Sequence, residues 1–352
     1  MKQQIKLYRS LFPLLLLLLL PQLANADKDY ERLFIFGDSL SDPGNAFALT
    51  GNLLTPPYAS LDALLIPDAP YAVGRGRFSN GRTWIERLAR SLEVKASARP
   101  AYAFNAKGRR GDNFAVGGAR ARSVGRGFDL ADQVGFHLSR PLDEEIEEAL
   151  YVVAMGGNDV RDALTAFDSD PTGASSTAII TDAILAIGDN VGALYASGAR
   201  EFFIVNSPDI SLTPAVRTLD ANSPGTRFVA SLITTQFNTA LEQLTDQLRS
   251  QLPGVSIALF NLQSLLNRVS ADPEMFRLIN VTDACIMPNQ PPFRCRKAKR
   301  YLFWDGIHPT KTGHKIFAHF AYEMLAEEDD DEEETSEHRH CENSEDRRRA
   351  CR

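Results

Sequence analysis

The chain has 352 residues, of which 44% are hydrophobic and 24% charged; these globular values exclude a collagen-like or wholly disordered chain. The length leaves room for one large domain or two small ones. Net charge is −7, from 45 acidic and 38 basic residues, which argues against nucleic acid, whose binding asks for a basic footprint.

Lys2, Lys6 and Arg9 precede an apolar run from Leu11 to Leu20, and Ala24-Asn25-Ala26 supplies a small-x-small cleavage site. Residues 1–26 therefore read as a secretory signal peptide cleaved near Ala26, so that the mature chain is secreted, either periplasmic or extracellular. The run is shorter than the ~20 residues a membrane-spanning helix needs. Residues 27–326 show no linker and no internal repeat, and read as one domain.

Within that body, Arg32 to Phe36 is an apolar run ending at Gly37 and predicts a buried strand. Thr83 to Leu92 has helical spacing, with Trp84, Leu88 and Leu92 on one face. Leu150 to Met155 predicts a second strand, Ile179 to Tyr195 a helix, and Phe202 to Val205 a third strand. Phe228 to Leu252 is a long amphipathic helix stopped by Pro253-Gly254. Val255 to Phe260 is a fourth strand and Lys311 to Ala326 a closing helix. Apolar strands alternating with helices predict an α/β fold with a parallel sheet covered on both faces.

From Glu327 to Arg352 the chain carries 12 acidic and 5 basic residues, so the acidity of the protein belongs to this segment. A block of like charge predicts a solvated, disordered tail over 327–352. Export would permit disulfides. Cys285, Cys295, Cys341 and Cys351 allow three pairings. Proximity favours 285–295 with 341–351, and the spacing lacks the C-x-x-C pair that a zinc site commonly uses.

In a parallel sheet, ligand sites lie beyond the carboxyl ends of the strands. Polar motifs gather there. After the first strand come Gly37-Asp38-Ser39, where a serine at a tight turn can be presented as a nucleophile. Taken alone the tripeptide is a weak signal, and the helix-cap reading prevails. After the second strand come Gly156-Gly157-Asn158-Asp159, whose Asn158 amide can donate into the same space. Between them lies Asn113-Phe114-Ala115-Val116-Gly117-Gly118-Ala119, whose glycines allow close approach of backbone N–H groups. Of six histidines, only His308 has an aspartate, Asp305, three residues upstream in a Gly- and Pro-containing loop. Such a pair can share the hydrogen bond that fixes the imidazole tautomer.

Together the four blocks GDSLSDPGN, NFAVGGA, GGND and WDGIHPT resemble the SGNH, or GDSL, family of lipases and esterases. The blocks run in family order from Gly37 to Thr310. The resemblance implies a three-layer flavodoxin-like fold with a parallel sheet of about five strands. It implies a serine hydrolase with Ser39 as nucleophile, His308 as base and Asp305 as its orienting partner. It also implies an oxyanion hole from Asn158 and Gly118, with Gly117 as the alternative to Gly118, and no metal or organic cofactor. The stretch Asn280 to Cys285, with Cys295 and Tyr301 to Asp305, is similar to secreted bacterial phospholipases, lecithinase/haemolysins and glycerophospholipid–cholesterol acyltransferases. That narrower resemblance implies lipid acyl esters as substrates and peripheral contact with membrane lipid.

Two rival readings stand beside it: a carbohydrate or short-chain acetyl esterase with the same triad, and a non-catalytic binding protein on a hydrolase fold. Phe47 to Tyr58 is the candidate apolar loop for lipid preference. Pro288, Pro291, Pro292 and Phe293 make the Cys285–Cys295 loop stiff and partly apolar, which fits either a flap over the pocket or a plain staple.

Overall fold

Each of the four apolar runs becomes a strand of one parallel sheet in the computed structural model, which describes residues 30–103, 110–141 and 149–342, with side chains to residue 326. The strands are β1 (Arg32–Gly37), β2 (Ala149–Ala154), β3 (Glu201–Val205) and β4 (Ser256–Phe260), in the order β1-β2-β3-β4. Register is in step throughout, with Ile35 beside Val152, Val152 beside Phe203, and Phe203 beside Ala258. A fifth segment completes the edge. Ile35 N–H donates to Asp112 O (3.0 Å), and Phe114 N–H and Val116 N–H donate to Ile35 O and Gly37 O (2.7 and 3.1 Å). The 112–116 stretch thus lies parallel to β1, so the expectation of about five strands is met by four regular strands and one irregular edge. With that edge included, the strand order is flavodoxin-like.

Alternate side chains of each strand enter different layers, as strand geometry requires. Phe34, Phe36, Tyr151, Val153, Phe202 and Ile204 face one core; Leu33, Ile35, Leu150, Val152, Phe203 and Val205 face the other. The first core is closed by α3 (Leu130–Leu138), α4 (Gly157–Ser169), α5 (Ala174–Ala196) and α7 (Thr226–Gln251). The second is closed by α2 (Trp84–Ser91), α8 (Leu262–Ala271) and α9 (Lys311–Glu342). Each fully buried Phe or Leu in these layers contributes roughly 1.5–3 kcal/mol of transfer free energy. Two short helices, α1 (Asn45–Thr50) and α6 (Pro214–Asn222), lie in the connections.

A second, two-stranded parallel sheet pairs β5 (Asn280–Ala284) with β6 (Tyr301–Phe303). The Cys285–Cys295 disulfide, with Cα atoms 5.3 Å apart, closes the loop between them. Ile286 and Trp304 pack with Leu54, Tyr58, Leu61 and Tyr71 in a separate small core.

The closing helix, expected over 311–326, runs as α9 from Lys311 to Glu342 and so enters the expected tail, 327–352. No glycine or proline interrupts 314–342, and glutamate is a good helix former. Residues 1–26 and Cys351 lie outside the described residues, and so does the expected Cys341–Cys351 pairing.

Candidate active site

The carboxyl ends of β1 and β2 hold the site open between them. Ser39 follows β1 in a turn closed by Ser41 N–H donating to Asp38 O (3.1 Å). Asp38 Oδ1 accepts from Leu40 N–H (2.9 Å) and stiffens the same turn. Behind it, Gln133 accepts from Gly37 N–H and donates to Gly37 O, both at 2.9 Å, pinning the end of the strand.

Asp305 and His308 arrive from the other end of the chain on the loop after β6. Asp305 Oδ1 accepts from the backbone N–H groups of Ile307 (2.9 Å) and His308 (2.7 Å). Its Oδ2 takes His308 Nδ1 (2.7 Å) and the Tyr71 hydroxyl (2.9 Å). With Nδ1 carrying the proton towards Asp305, Nε2 is left as the acceptor for Ser39 Oγ, 2.8 Å away. Asp305 is wholly buried, His308 is 2% exposed and Ser39 9% exposed, so the reacting edge is the serine. The structure brings together the three residues that the sequence singled out.

Asn158 stands in the first turn of α4. Gly156, with φ of 116°, makes the reversal from β2, and a Cβ there would lie 2.1 Å from the Phe237 ring, so only glycine fits. Asn158 Nδ2 donates to Ala119 O (2.9 Å), and Oδ1 accepts from Arg161 Nη1 (3.1 Å), which leaves the second Nδ2 hydrogen for a ligand. Gly118 adopts φ of 85° in the neighbouring loop. The choice between Gly117 and Gly118 follows from the hydrogen bonds. Gly117 N–H is already donated to Asp42 Oδ2 (2.9 Å), whereas among the described residues neither Ser39 N–H nor Gly118 N–H has a protein acceptor. Gly117 is therefore set aside as a donor.

Buried carboxylates hold these loops in place. Asp42 also accepts from Gly44, Asn45 and Ala46 N–H, tying the first block to the second. Burial pushes its carboxyl up to about 6 against the pull of those donors. Asp159 accepts from Ala121 N–H (2.8 Å), and burial pushes it up to about 7. Neither reaches the serine. Asn45 Nδ2 donates to Asn113 O and Ala115 O, and Asn113 Nδ2 to Ser41 O, so the blocks form one hydrogen-bonded platform.

Ser39, Asn158 and His308 share the wall of a cavity with Leu64, Ile66, Leu164, Ile210, Val216 and Leu219. Leu64 and Ile66 bring the 62–66 loop into this apolar wall. The expected Phe47–Tyr58 stretch does not line it: Phe47 and Leu49 are exposed on α1, and Tyr58 is buried against Tyr71. No residue of the Cys285–Cys295 loop lines the cavity either, which favours the staple over the flap. Tyr71 and Arg161 escaped the sequence reading. Tyr71 lies 234 positions from its partner, and Arg161 looks like an ordinary helix-face charge.

A family model described as GDSL-like Lipase/Acylhydrolase matches residues 33–321. Three curated relatives, all from Arabidopsis thaliana, span most of both chains. GDSL esterase/lipase At1g73610 is 28% identical over 327 residues, covering 84% of this chain and 90% of its own. GDSL esterase/lipase At1g23500 is 27% identical, covering 82% and 87%. GDSL esterase/lipase At5g42170 is 28% identical, covering 81% and 83%.

Proposed function

Because the chain belongs to the GDSL-like lipase/acylhydrolase family and is a carboxylic ester hydrolase, we propose that it cleaves acyl esters of lipids through an acyl-enzyme on Ser39. The observation that carries this reading is the Ser39–His308–Asp305 chain of hydrogen bonds, 2.8 and 2.7 Å, opening on an apolar cavity. Ser39 Oγ attacks the ester carbonyl as His308 Nε2 takes its proton. The tetrahedral oxyanion is held by Ser39 and Gly118 N–H and the Asn158 amide, each worth roughly 3–4 kcal/mol in the transition state. Collapse expels the alcohol, which leaves with the proton from His308. Water, activated by the same imidazole, then releases the acid; an acceptor alcohol in its place would give acyl transfer. Asp305 orients His308 and supports its cation.

The aliphatic wall supports a chain longer than acetyl, since a short acyl group would leave most of that surface uncovered. The resemblance of residues 280–305 to secreted phospholipases supports a lipid of the phospholipid or lysophospholipid class. The N-terminal pattern supports export, and disulfide chemistry at Cys285 and Cys295 is in keeping with an oxidising compartment. The test is hydrolysis of a panel of phospholipids, lysophospholipids, nitrophenyl esters and acetylated sugars, with and without a sterol acceptor. Ser39→Ala should abolish turnover while circular dichroism is unchanged. Activity within tenfold of wild type in that folded variant would end the mechanism, and a preference for acetylated sugars would end the lipid assignment.

A further inference from the structure

Arg161 is a cation in an otherwise mostly apolar cavity. It lies one turn after Asn158 on α4 and lines the same cavity as Ser39 and His308. A guanidinium has five N–H donors. Among the described residues, the only hydrogen bond Arg161 makes from its side chain is the one to Asn158 Oδ1 (3.1 Å), and it has no carboxylate within ion-pair distance.

The neighbouring acids are already engaged. Asp162 takes Arg120 Nε and Nη2, both at 2.9 Å, together with Arg122 Nη2. Asp159 takes Ala121 N–H and stands 3.5 Å from Arg122 Nε. Asp38, the acid on the cavity wall, accepts from Leu40 N–H at Oδ1, lies beyond ion-pair distance of Arg161, and is favoured in its neutral form by burial. Burial and the Arg120 charge disfavour the Arg161 cation, with only partial relief from Asp162, Asp62 and Asp38. An incompletely matched cation beside a reaction centre is most economically explained by a ligand that completes it.

We propose that Arg161 forms an anion subsite next to the oxyanion hole, and that the preferred esters carry a phosphate or carboxylate group a few bonds from the scissile ester. The planar fork of arginine suits such oxygens. Its link through Asn158 places the subsite on the same side of the cavity as the oxyanion donors. The inference rests on the ester-hydrolase reading above and narrows it.

Three decanoyl esters separate the cases: 1-decanoylglycerol 3-phosphate, the decanoyl ester of glyceric acid, and neutral 1-decanoylglycerol. Wild type should favour the anionic esters in kcat/KM by on the order of tenfold or more. The ratio should fall to near unity in Arg161→Gln and survive in part in Arg161→Lys, which keeps the charge if the glutamine variant does not fold. The two anionic esters compared with each other distinguish phosphate from carboxylate. An unchanged ratio in Arg161→Gln, or equal loss on all three esters, would overturn the subsite and leave Arg161 as a positioning group for Asn158. A second measurement is independent of turnover. Ser39→Ala should bind decyl phosphate more tightly than decyl glucoside by calorimetry, and Ser39→Ala/Arg161→Gln should not. That result supports the subsite even if the chosen esters are poor substrates. Hydrolysis without charge preference removes the subsite and keeps the hydrolase.

Discussion

Asn158 and Tyr71 act on the reaction from opposite sides, and their removal should be told apart by kinetics. In the proposed mechanism Asn158 donates to the oxyanion only once it has formed, so Asn158→Ala should cut kcat by ~10²–10³ with little change in KM. A selective rise in KM would make it a substrate-binding group instead. Tyr71 does not line the cavity that holds Ser39. Its hydroxyl shares Asp305 Oδ2 with His308 Nδ1, at 2.9 Å, inside a fully buried pocket. It is a positioning residue. Tyr71→Phe keeps the ring and its edge contacts with Tyr58 and Trp304, and should lower kcat by roughly tenfold, the worth of one hydrogen bond to a charged group. An unaltered kcat with a raised KM would move Tyr71 from the triad to the substrate side.

At the scale of elements, the loop closed by Cys285 and Cys295 connects to the triad by packing. Ile286, Trp304, Tyr71 and Tyr58 form one small core, and Asn289 N–H donates to Pro57 O at 2.9 Å. The Cys285→Ser/Cys295→Ser variant should therefore lose activity to the same degree on a long-chain lipid and on a small soluble ester, because what loosens is the support of Asp305. A loss confined to the long-chain substrate would restore a flap. The strands were legible in the sequence because each is a continuous apolar run with a breaker at its carboxyl end, as Phe36 has Gly37 and Val205 has Asn206-Ser207-Pro208. The helices α3, α6 and α8 escaped the sequence reading, although α8 buries Leu262, Leu265, Leu266 and Val269, as many apolar side chains as α2. Their capping signals were present all the same. Asp129 with Asp132 forms a capping box at α3, Thr213-Pro214 opens α6, and Asn261 accepts from Ser264 N–H at α8. The triad itself was legible because the aspartate and histidine are three residues apart. Tyr71 was not, since its partner lies 234 positions away, and Arg161 was not, since its i,i+3 contact with Asn158 is local but the cavity it lines is set by tertiary packing.

The whole molecule carries its own pH dependence. His137 sits among Phe34, Phe36, Phe114 and Tyr151, with its Nε2 buried and unbonded, and burial together with Arg140 and Arg32 lowers it to about 4. His314 accepts from Trp84 N–H through Nδ1 and is lowered to about 3 by burial, then by Arg87 and His308. An unfolded histidine binds its proton near 6.5. Their contribution is therefore complete above that value and is lost as pH falls towards the folded values. Asp42 and Asp159, raised by burial, act oppositely and lose stability as pH rises through about 6 and 7. His137→Phe isolates one term. The difference in unfolding free energy between variant and wild type should move in favour of the variant by about 3 kcal/mol between pH 7 and pH 4. Denaturant titrations at the two values measure it, and a constant difference would mean that folded His137 takes up its proton over the same pH range as the unfolded residue.

Ser39 and His308, in contact at 2.8 Å, are separated by 269 positions of chain. A growing polypeptide therefore exposes its nucleophile early and acquires the base only when nearly all of the body has been made. Until β6 has docked and carried Asp305 and His308 across, every partial product holds an ordinary, unactivated serine. The fold thus has the effect of a safety catch: an ester hydrolase stays inert through its own synthesis, and esterase activity becomes a direct report that the last elements have found their place.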